Sequence, residues 1–111
     1  MSVQLITDVS AVRQALETHP CVVIDFMAEW CGPCKAIAPK MSTLAETYSA
    51  IKFLKVDVDQ MEMNFIQSEN VSSMPTIKFY KDGQCIDHLT VVGPNLNKVQ
   101  TSVRELNHLL S

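Results

Sequence analysis

One stretch near the first third of the chain decides the fold: Asp25-Phe26-Met27-Ala28-Glu29-Trp30-Cys31-Gly32-Pro33-Cys34-Lys35. It continues an apolar run typical of a strand buried on both faces, and it opens an amphipathic pattern typical of a helix, whose core stripe starts at Ile37. The two cysteines, separated by Gly32-Pro33, therefore stand at a predicted strand-to-helix junction. A Cys-x-x-Cys in that position indicates redox chemistry.

The start of a helix favours the ionised form of a cysteine. Unpaired backbone N–H groups and the positive end of the helix dipole both stabilise a thiolate. We therefore expect the pKa of Cys31 to lie below the free value of about 8.5. Pro33 fits the first helical turn because its missing N–H costs nothing there and its φ is already helical. Gly32 allows a tight turn into the helix, and its lack of a side chain leaves Cys31 accessible to a reaction partner.

A metal site is the main alternative use of this pair. A zinc site needs four ligands, usually as two close pairs, whereas Cys21 and Cys85 are isolated and the three histidines lack ligand spacing. We therefore expect a dithiol redox couple and no metal. Cys31 lies nearer the helix start and is expected to be the exposed nucleophile. Cys34 lies about one turn further in and is expected to be the more buried, resolving thiol.

Composition bounds the class of protein. The 111 residues predict a single domain, 1–111, and the hydrophobic fraction of 47% argues against disorder. The net charge of -3 is scattered, so neither nucleic acid nor a membrane surface is an expected partner. The first residues lack a basic start and a long apolar run, so no signal peptide or membrane span is expected. Sparse cysteines favour a reducing compartment, the cytosol.

Hydrophobic periodicity predicts the element order βαβαβαββα. Strands are predicted at 3–6, 21–28, 53–58, 76–80 and 85–92, and helices at 9–17, at 33–48, after Asp59, and after residue 95. We expect Asp59 and Glu62 to form a capping box for the third helix, and Asn70 to end it in a left-handed conformation. The βαβ units require parallel pairing, and a hairpin turn at 81–83 adds an antiparallel edge. The fold class is therefore α/β, with a mixed five-stranded sheet flanked by four helices.

The hexapeptide Trp30-Cys31-Gly32-Pro33-Cys34-Lys35 resembles the thioredoxin active-site motif residue for residue, and the element order resembles that family over nearly the whole chain. The resemblance implies the thioredoxin fold, a redox disulfide between Cys31 and Cys34, and an electron carrier that reduces protein disulfides without a bound cofactor. It implies recharging by an NADPH-dependent thioredoxin reductase. Implied clients are peroxiredoxins, methionine sulfoxide reductases and ribonucleotide reductase, and the protein is expected to be mostly monomeric.

Asp25 interrupts an apolar strand, where an unpaired buried carboxylate is costly, so we expect a raised pKa or a partner. In thioredoxins the matching aspartate lies beneath the resolving cysteine and accepts its proton, and a lysine matching Lys55 often lies beside it. Two other interpretations stay open: Asp25 as a strand-end carboxylate that reaches water, and Lys55 as an ordinary surface lysine.

The resemblance also implies a flat apolar surface for clients. A cis proline opposite the cysteines matches Pro75, and the residue before it, Met74, pairs with the bound substrate through its backbone. The ring matching Trp30 flanks the nucleophile, although a lone tryptophan is more often a core residue. The residues expected to form this surface are Trp30, Pro33, Met74, Pro75, Val92 and Gly93.

Alternative functions of the same fold remain. Oxidases and isomerases usually carry histidine between the cysteines, so Pro33 favours a reductant. A redox-silent adaptor would not need Cys31, Cys34, Asp25 and Pro75 intact. Stretch 83–93 looks longer than usual, and residue 94 is proline where alanine is common, so client preference stays open. Cys21 is predicted as a small core residue, and a regulatory role for Cys85 stays open.

Overall fold

The computed structural model describes residues 3–110. Its strands are β1 (Val3–Ile6), β2 (Cys21–Met27), β3 (Lys52–Asp57), β4 (Thr76–Lys81), β5 (Gln84–Cys85) and β6 (Val91–Val92). Its α-helices are α1 (Val9–Thr18), α2 (Gly32–Thr47), α3 (Met63–Ser68) and α4 (Leu96–His108). A 3₁₀ turn, Asp87–Leu89, separates β5 from β6. None of the described helices is long and apolar enough to cross a membrane.

The strands form one mixed sheet. Its order is β1-β3-β2-β4-β5, and β6 also pairs with β4. Strand β3 runs parallel to β1 and β2, whereas β4 runs antiparallel to β2. Strand β2 is central and buried along nearly all its length, as its continuous apolar run predicts. The predicted α/β class, with a mixed sheet and four helices, is confirmed.

The predicted fifth strand, 85–92, is wrong as a single strand. Cys85 lies opposite Tyr80 and Val92 lies opposite Thr76, so both ends pair with β4. More residues lie between these two pairs on the 85–92 side than on β4. The surplus residues leave the ladder and form the 3₁₀ turn, from which Leu89 packs into the core.

The two faces of the sheet carry separate cores. Along β2, Cys21 and Val23 pack with residues of α2 and α4, whereas Val22 and Ile24 pack with residues of α1 and α3. Since side chains alternate along a strand, Asp25 lies on the same face as Val23, under α2 and α4. The prediction of Cys21 as a core residue is confirmed, because it is fully buried and its thiol donates to the carbonyl of Leu106.

Local turn chemistry agrees with the sequence at two of three positions. Asp82 and Gly83 both have positive φ, as the predicted hairpin turn requires. Asn70, at φ 58°, ends α3 in the predicted left-handed conformation. The predicted capping box is wrong, since α3 begins after Glu62, which makes no side-chain cap hydrogen bond. Asp59 does not cap the helix because the N-cap position of α3 is Glu62, three residues later.

Candidate active site

Cys31 and Cys34 are joined in a disulfide at the start of α2, with their Cα atoms 5.3 Å apart. Cys31 is the N-cap residue, and Gly32 and Pro33 begin the helix. The Sγ of Cys31 accepts the backbone N–H of Cys34 at 3.1 Å. A donor aimed at this sulfur stabilises negative charge on it. The strand-to-helix junction therefore favours ionisation of Cys31 to a thiolate when the disulfide is reduced.

The expected difference in exposure between the two cysteines is wrong for this disulfide form. Cys31 is 4% exposed and Cys34 is 3% exposed. Both belong to a small cluster with Ala28, against which the partly buried Val58 and Met74 pack. These neighbours come from separate parts of the chain and pack against the cluster that contains both cysteines. The two cysteines differ in their position on α2, where Cys31 is the N-cap and Cys34 lies inside the helix, and not in their exposure.

Asp25 is the buried titratable group of this region. It is 4% exposed, and its Oδ1 has no hydrogen-bond partner among residues 3–110. Burial raises the pKa of Asp25 to about 7, whereas the charge of Lys55 acts in the opposite direction. The interpretation of Asp25 as a carboxylate that reaches water is therefore wrong. A group whose pKa lies near neutral pH can both accept and return a proton there.

Strand geometry places Asp25 on the side of the sheet that α2 covers. Asp25 and Met27 share a face of β2, because they are two residues apart, and Met27 packs against the cysteine cluster. On the neighbouring strand β3, Lys55 is the register partner of Asp25. The structure thus brings Asp25 and Lys55 together, as the resemblance implies.

Trp30 lies on the surface beside the cysteines. It is 69% exposed, so the interpretation of this residue as a core tryptophan is wrong. Its indole Nε1–H donates to Oδ2 of Asp59 at 2.7 Å. Asp59 in turn donates its backbone N–H to the carboxylate of the buried Asp57 at 2.9 Å. These two hydrogen bonds hold the exposed ring in one orientation through the segment that follows β3.

The other residues predicted for the client surface are also neighbours. The Met74–Pro75 peptide is cis, which confirms that prediction. The carbonyl of Pro75 accepts the N–H of Gly93 at 2.8 Å. Val92, the residue before Gly93, is 64% exposed. Since Met74 packs against the cysteine cluster, this apolar surface borders the disulfide.

The three surface cavities described among residues 3–110 lie away from these site residues. A surface cavity of about 550 Å³ lies between the end of α1 and the β4–β5 turn, and none of the predicted site residues lines it. Within residues 3–110, no group of three or more His, Cys, Asp or Glu side chains is placed to hold a metal ion. The groups with redox chemistry at this site are the two cysteines themselves.

Comparison with known proteins gives the family. The thioredoxin family model matches residues 3–105. The chain belongs to the thioredoxin family. It is a dithiol–disulfide oxidoreductase with its cysteine pair at the active site, as thioredoxins are.

Individual thioredoxins are similar to this chain in sequence and in structure. The chain is 41% identical over 108 residues to Thioredoxin-2 of Pyricularia oryzae, covering 97% of this chain and 61% of that relative. A Plasmodium falciparum thioredoxin structure superposes with a TM-score of 0.86 at 36% identity, covering 92% and 97% of the two chains. A structure from work on the thiol-resolving mechanism of yeast mitochondrial 1-Cys peroxiredoxin via the glutathione and thioredoxin systems superposes with a TM-score of 0.86 at 31% identity, covering 95% and 96%.

Sequence reasoning missed one residue of this thioredoxin site. Asp59 binds the indole of Trp30, but the sequence suggested a helix cap for it. The two residues are far apart in the sequence, and no spacing rule connects them. The weak signal in the sequence was a second aspartate, Asp57, two residues earlier. The structure places it, buried, at the end of β3.

Proposed function

We propose that this thioredoxin reduces protein disulfides by two successive thiol–disulfide exchanges. The Cys31 thiolate attacks one client sulfur, so that a mixed disulfide forms and the other client sulfur leaves as a thiolate. The Cys34 thiolate then attacks Sγ of Cys31. This step forms the Cys31–Cys34 disulfide and releases the second client thiolate. Two electrons pass from the cysteine pair to the client, and both client sulfurs take up protons.

The observation that carries this proposal is the N-cap geometry of Cys31. Its sulfur accepts the Cys34 N–H at 3.1 Å at the positive end of α2, which stabilises a thiolate for attack. Cys34 lies inside the helix and suits the resolving step. These roles follow the order of the two cysteines along α2, since both are equally buried in the disulfide form.

Asp25 is proposed to accept the proton of Cys34 in the second exchange. Burial raises its pKa to about 7, so the carboxylate is basic enough to take a proton and acidic enough to return it. Lys55 is proposed to modulate Asp25, because the charge of Lys55 opposes the effect of burial on the pKa of Asp25.

Client recognition is proposed to use the apolar surface rather than a pocket. Trp30, Pro33 and Val92 are its exposed residues, Met74 and Gly93 are half-buried, and the buried Pro75 underlies them. The backbone of Met74 would pair with the extended client segment that carries the disulfide. Such pairing tolerates many sequences, which suits a reader of varied protein disulfides.

The direction of electron flow is proposed to be reductive. Pro33, rather than histidine, lies between the cysteines, which argues against an oxidase or isomerase. An NADPH-dependent thioredoxin reductase would recharge the disulfide. Peroxiredoxins are proposed as clients, supported by the similarity to a structure from work on peroxiredoxin resolution. Methionine sulfoxide reductases and ribonucleotide reductase are further proposed clients, and the proposed setting is a monomeric domain, 1–111, in the cytosol.

Variants of the cysteines test the two roles. In an assay that couples dithiothreitol to the reduction of insulin disulfides, Cys31→Ser should abolish turnover. Cys34→Ser should lose most of its turnover. When it is first reduced, then freed of dithiothreitol and mixed with insulin, it should accumulate a mixed disulfide between Cys31 and insulin, visible by mass spectrometry. Cys85→Ser, a matched change outside the site, should retain full activity.

The opposite results would refute the assignment. Wild-type protein that does not reduce insulin would favour an adaptor whose thiols are silent. A Cys34→Ser protein that turns over normally would show that Cys34 is not the resolving thiol. A mixed disulfide that forms in Cys31→Ser, but not in Cys34→Ser, would reverse the two roles.

A further inference from the structure

The side chains of Lys78 and Tyr80 on β4 are polar and are buried on the face that α1 and α3 cover. Lys78, which is 8% exposed, and Tyr80 point to the same side of the sheet because they are two residues apart. Tyr80 belongs to the core cluster that includes Ile66 of α3. A buried ammonium group and a buried hydroxyl each need a hydrogen-bond partner.

Both side chains find their partner in one residue, Glu69. The Nζ of Lys78 donates to the backbone carbonyl of Glu69, and the hydroxyl of Tyr80 donates to its Oε1. Burial and the contact with Glu69 raise the pKa of Tyr80, so its hydroxyl stays protonated and acts as the hydrogen-bond donor. Glu69, Lys78 and Tyr80 are called the Glu69 clamp below.

The backbone explains why a cation is useful at Glu69. The N–H of Asn70 donates to Gln67 and that of Val71 donates to Ile66, at 3.0 and 3.3 Å. This is the Schellman pattern of a helix end, and neither bond uses the Glu69 carbonyl. Since the C-terminal end of a helix is negative, the ammonium of Lys78 is well placed to cap that carbonyl.

The Glu69 clamp lies directly before the loop that carries Met74. Val71 is buried in the same core as Tyr80. At the other end of the loop, the hydroxyl of Thr76 donates to the carbonyl of Ser73 at 2.7 Å. Side chains of β4 therefore hold loop 70–75 at both ends, and Met74 in this loop packs against the cysteine cluster.

We propose that the Glu69 clamp is a positioning device that sets client affinity by holding the backbone of Met74 in register for client pairing. The inference rests on the client-binding role of Met74 in the proposed function. Lys78 and Tyr80 touch neither client nor cysteines, so they act through the loop. Loosening the clamp should weaken the binding of a protein client and leave the chemistry of Cys31 unchanged.

Steady-state kinetics separate positioning from chemistry. Lys78→Met and Tyr80→Phe each remove one polar contact and keep most of the side chain's shape. We expect Lys78→Met to raise KM for insulin about five- to tenfold with kcat unchanged, because the lost interaction serves binding alone. Lys78→Arg, which restores a cationic donor, should recover most of the affinity. The rate with 5,5′-dithiobis(2-nitrobenzoic acid), a small disulfide with no backbone to pair, should not change in any variant.

A lysine on the same strand provides the matched control. Lys81 pairs with Asp82 at 2.7 Å in the exposed turn, so Lys81→Met should leave KM for insulin unchanged. A second readout is amide hydrogen exchange of loop 70–75, which should become faster in Lys78→Met and stay as in the wild type in Lys81→Met.

Each outcome decides the matter. Faster loop exchange together with a higher insulin KM supports the proposal. Unchanged exchange in Lys78→Met overturns it, whatever the kinetics show. Faster exchange with an unchanged KM also overturns it, because the mobility of loop 70–75 then does not set client affinity. Failure of the proposed function itself appears differently, as wild-type protein that does not reduce insulin at all.

Discussion

The buried carboxyl of Asp25 makes the stability of this thioredoxin depend on pH. Burial raises its pKa from an ordinary 3.8 to about 7, so the folded chain holds this proton more tightly than the unfolded chain does. The free energy of unfolding therefore falls as pH rises between these two values, and the loss is complete above the higher one. At about 1.4 kcal/mol per pKa unit, ionising Asp25 in the folded protein costs about 4 kcal/mol.

Asp25→Asn removes this cost, because the amide has a similar shape and no charge. Between about pH 5 and about pH 8.5, the wild type should lose about 3 kcal/mol at this residue, and the variant should not. Urea unfolding of both oxidised proteins at the two pH values measures the difference. Glu17→Gln removes one negative charge from the exposed side of α1 and reports the general effect of net charge. A stability difference between Asp25→Asn and wild type that stays the same at both pH values would refute the reasoning.

Two further substitutions test neighbouring parts of the account. Lys55→Met should move the pKa of Asp25 above about 7, because the charge of Lys55 lowers this pKa. NMR of the Asp25 carboxyl carbon measures the titration, with Lys52→Met as the control. An unchanged titration in Lys55→Met would contradict the pairing of Lys55 with Asp25. Asn95→Ala should lower the free energy of unfolding by about 1 kcal/mol, because the Asn95 side chain accepts the Lys98 N–H at the start of α4. Urea unfolding checks this, and a loss of under about 0.3 kcal/mol would show that the cap contributes little.

The junction between β2 and α2 could be predicted because its signals are local. A continuous apolar run, two cysteines and Pro33 at a helix start each act within a few residues, and together they define the site. The hairpin turn was predictable for the same reason, since Asp82 and Gly83 tolerate the positive φ that it requires.

Features that depend on distant parts of the chain could not be predicted. The break in the fifth strand arises from how many residues separate two pairings with β4, and periodicity does not reveal that register. The burial of Cys31 depends on Val58 and Met74, which come from other segments. The role of Lys78 could not be predicted, because its acceptor is a backbone carbonyl that has no sequence signature.

The reduction potential of the Cys31–Cys34 pair tests the central claim most directly. Thiol trapping across a series of dithiol redox buffers measures it, with Cys34→Ser as the control that lacks the couple. The account predicts a two-electron couple at about −270 mV, the value of an electron donor of this family. A potential of about −180 to −120 mV, typical of isomerases and oxidases, or no reversible couple at all, would contradict it.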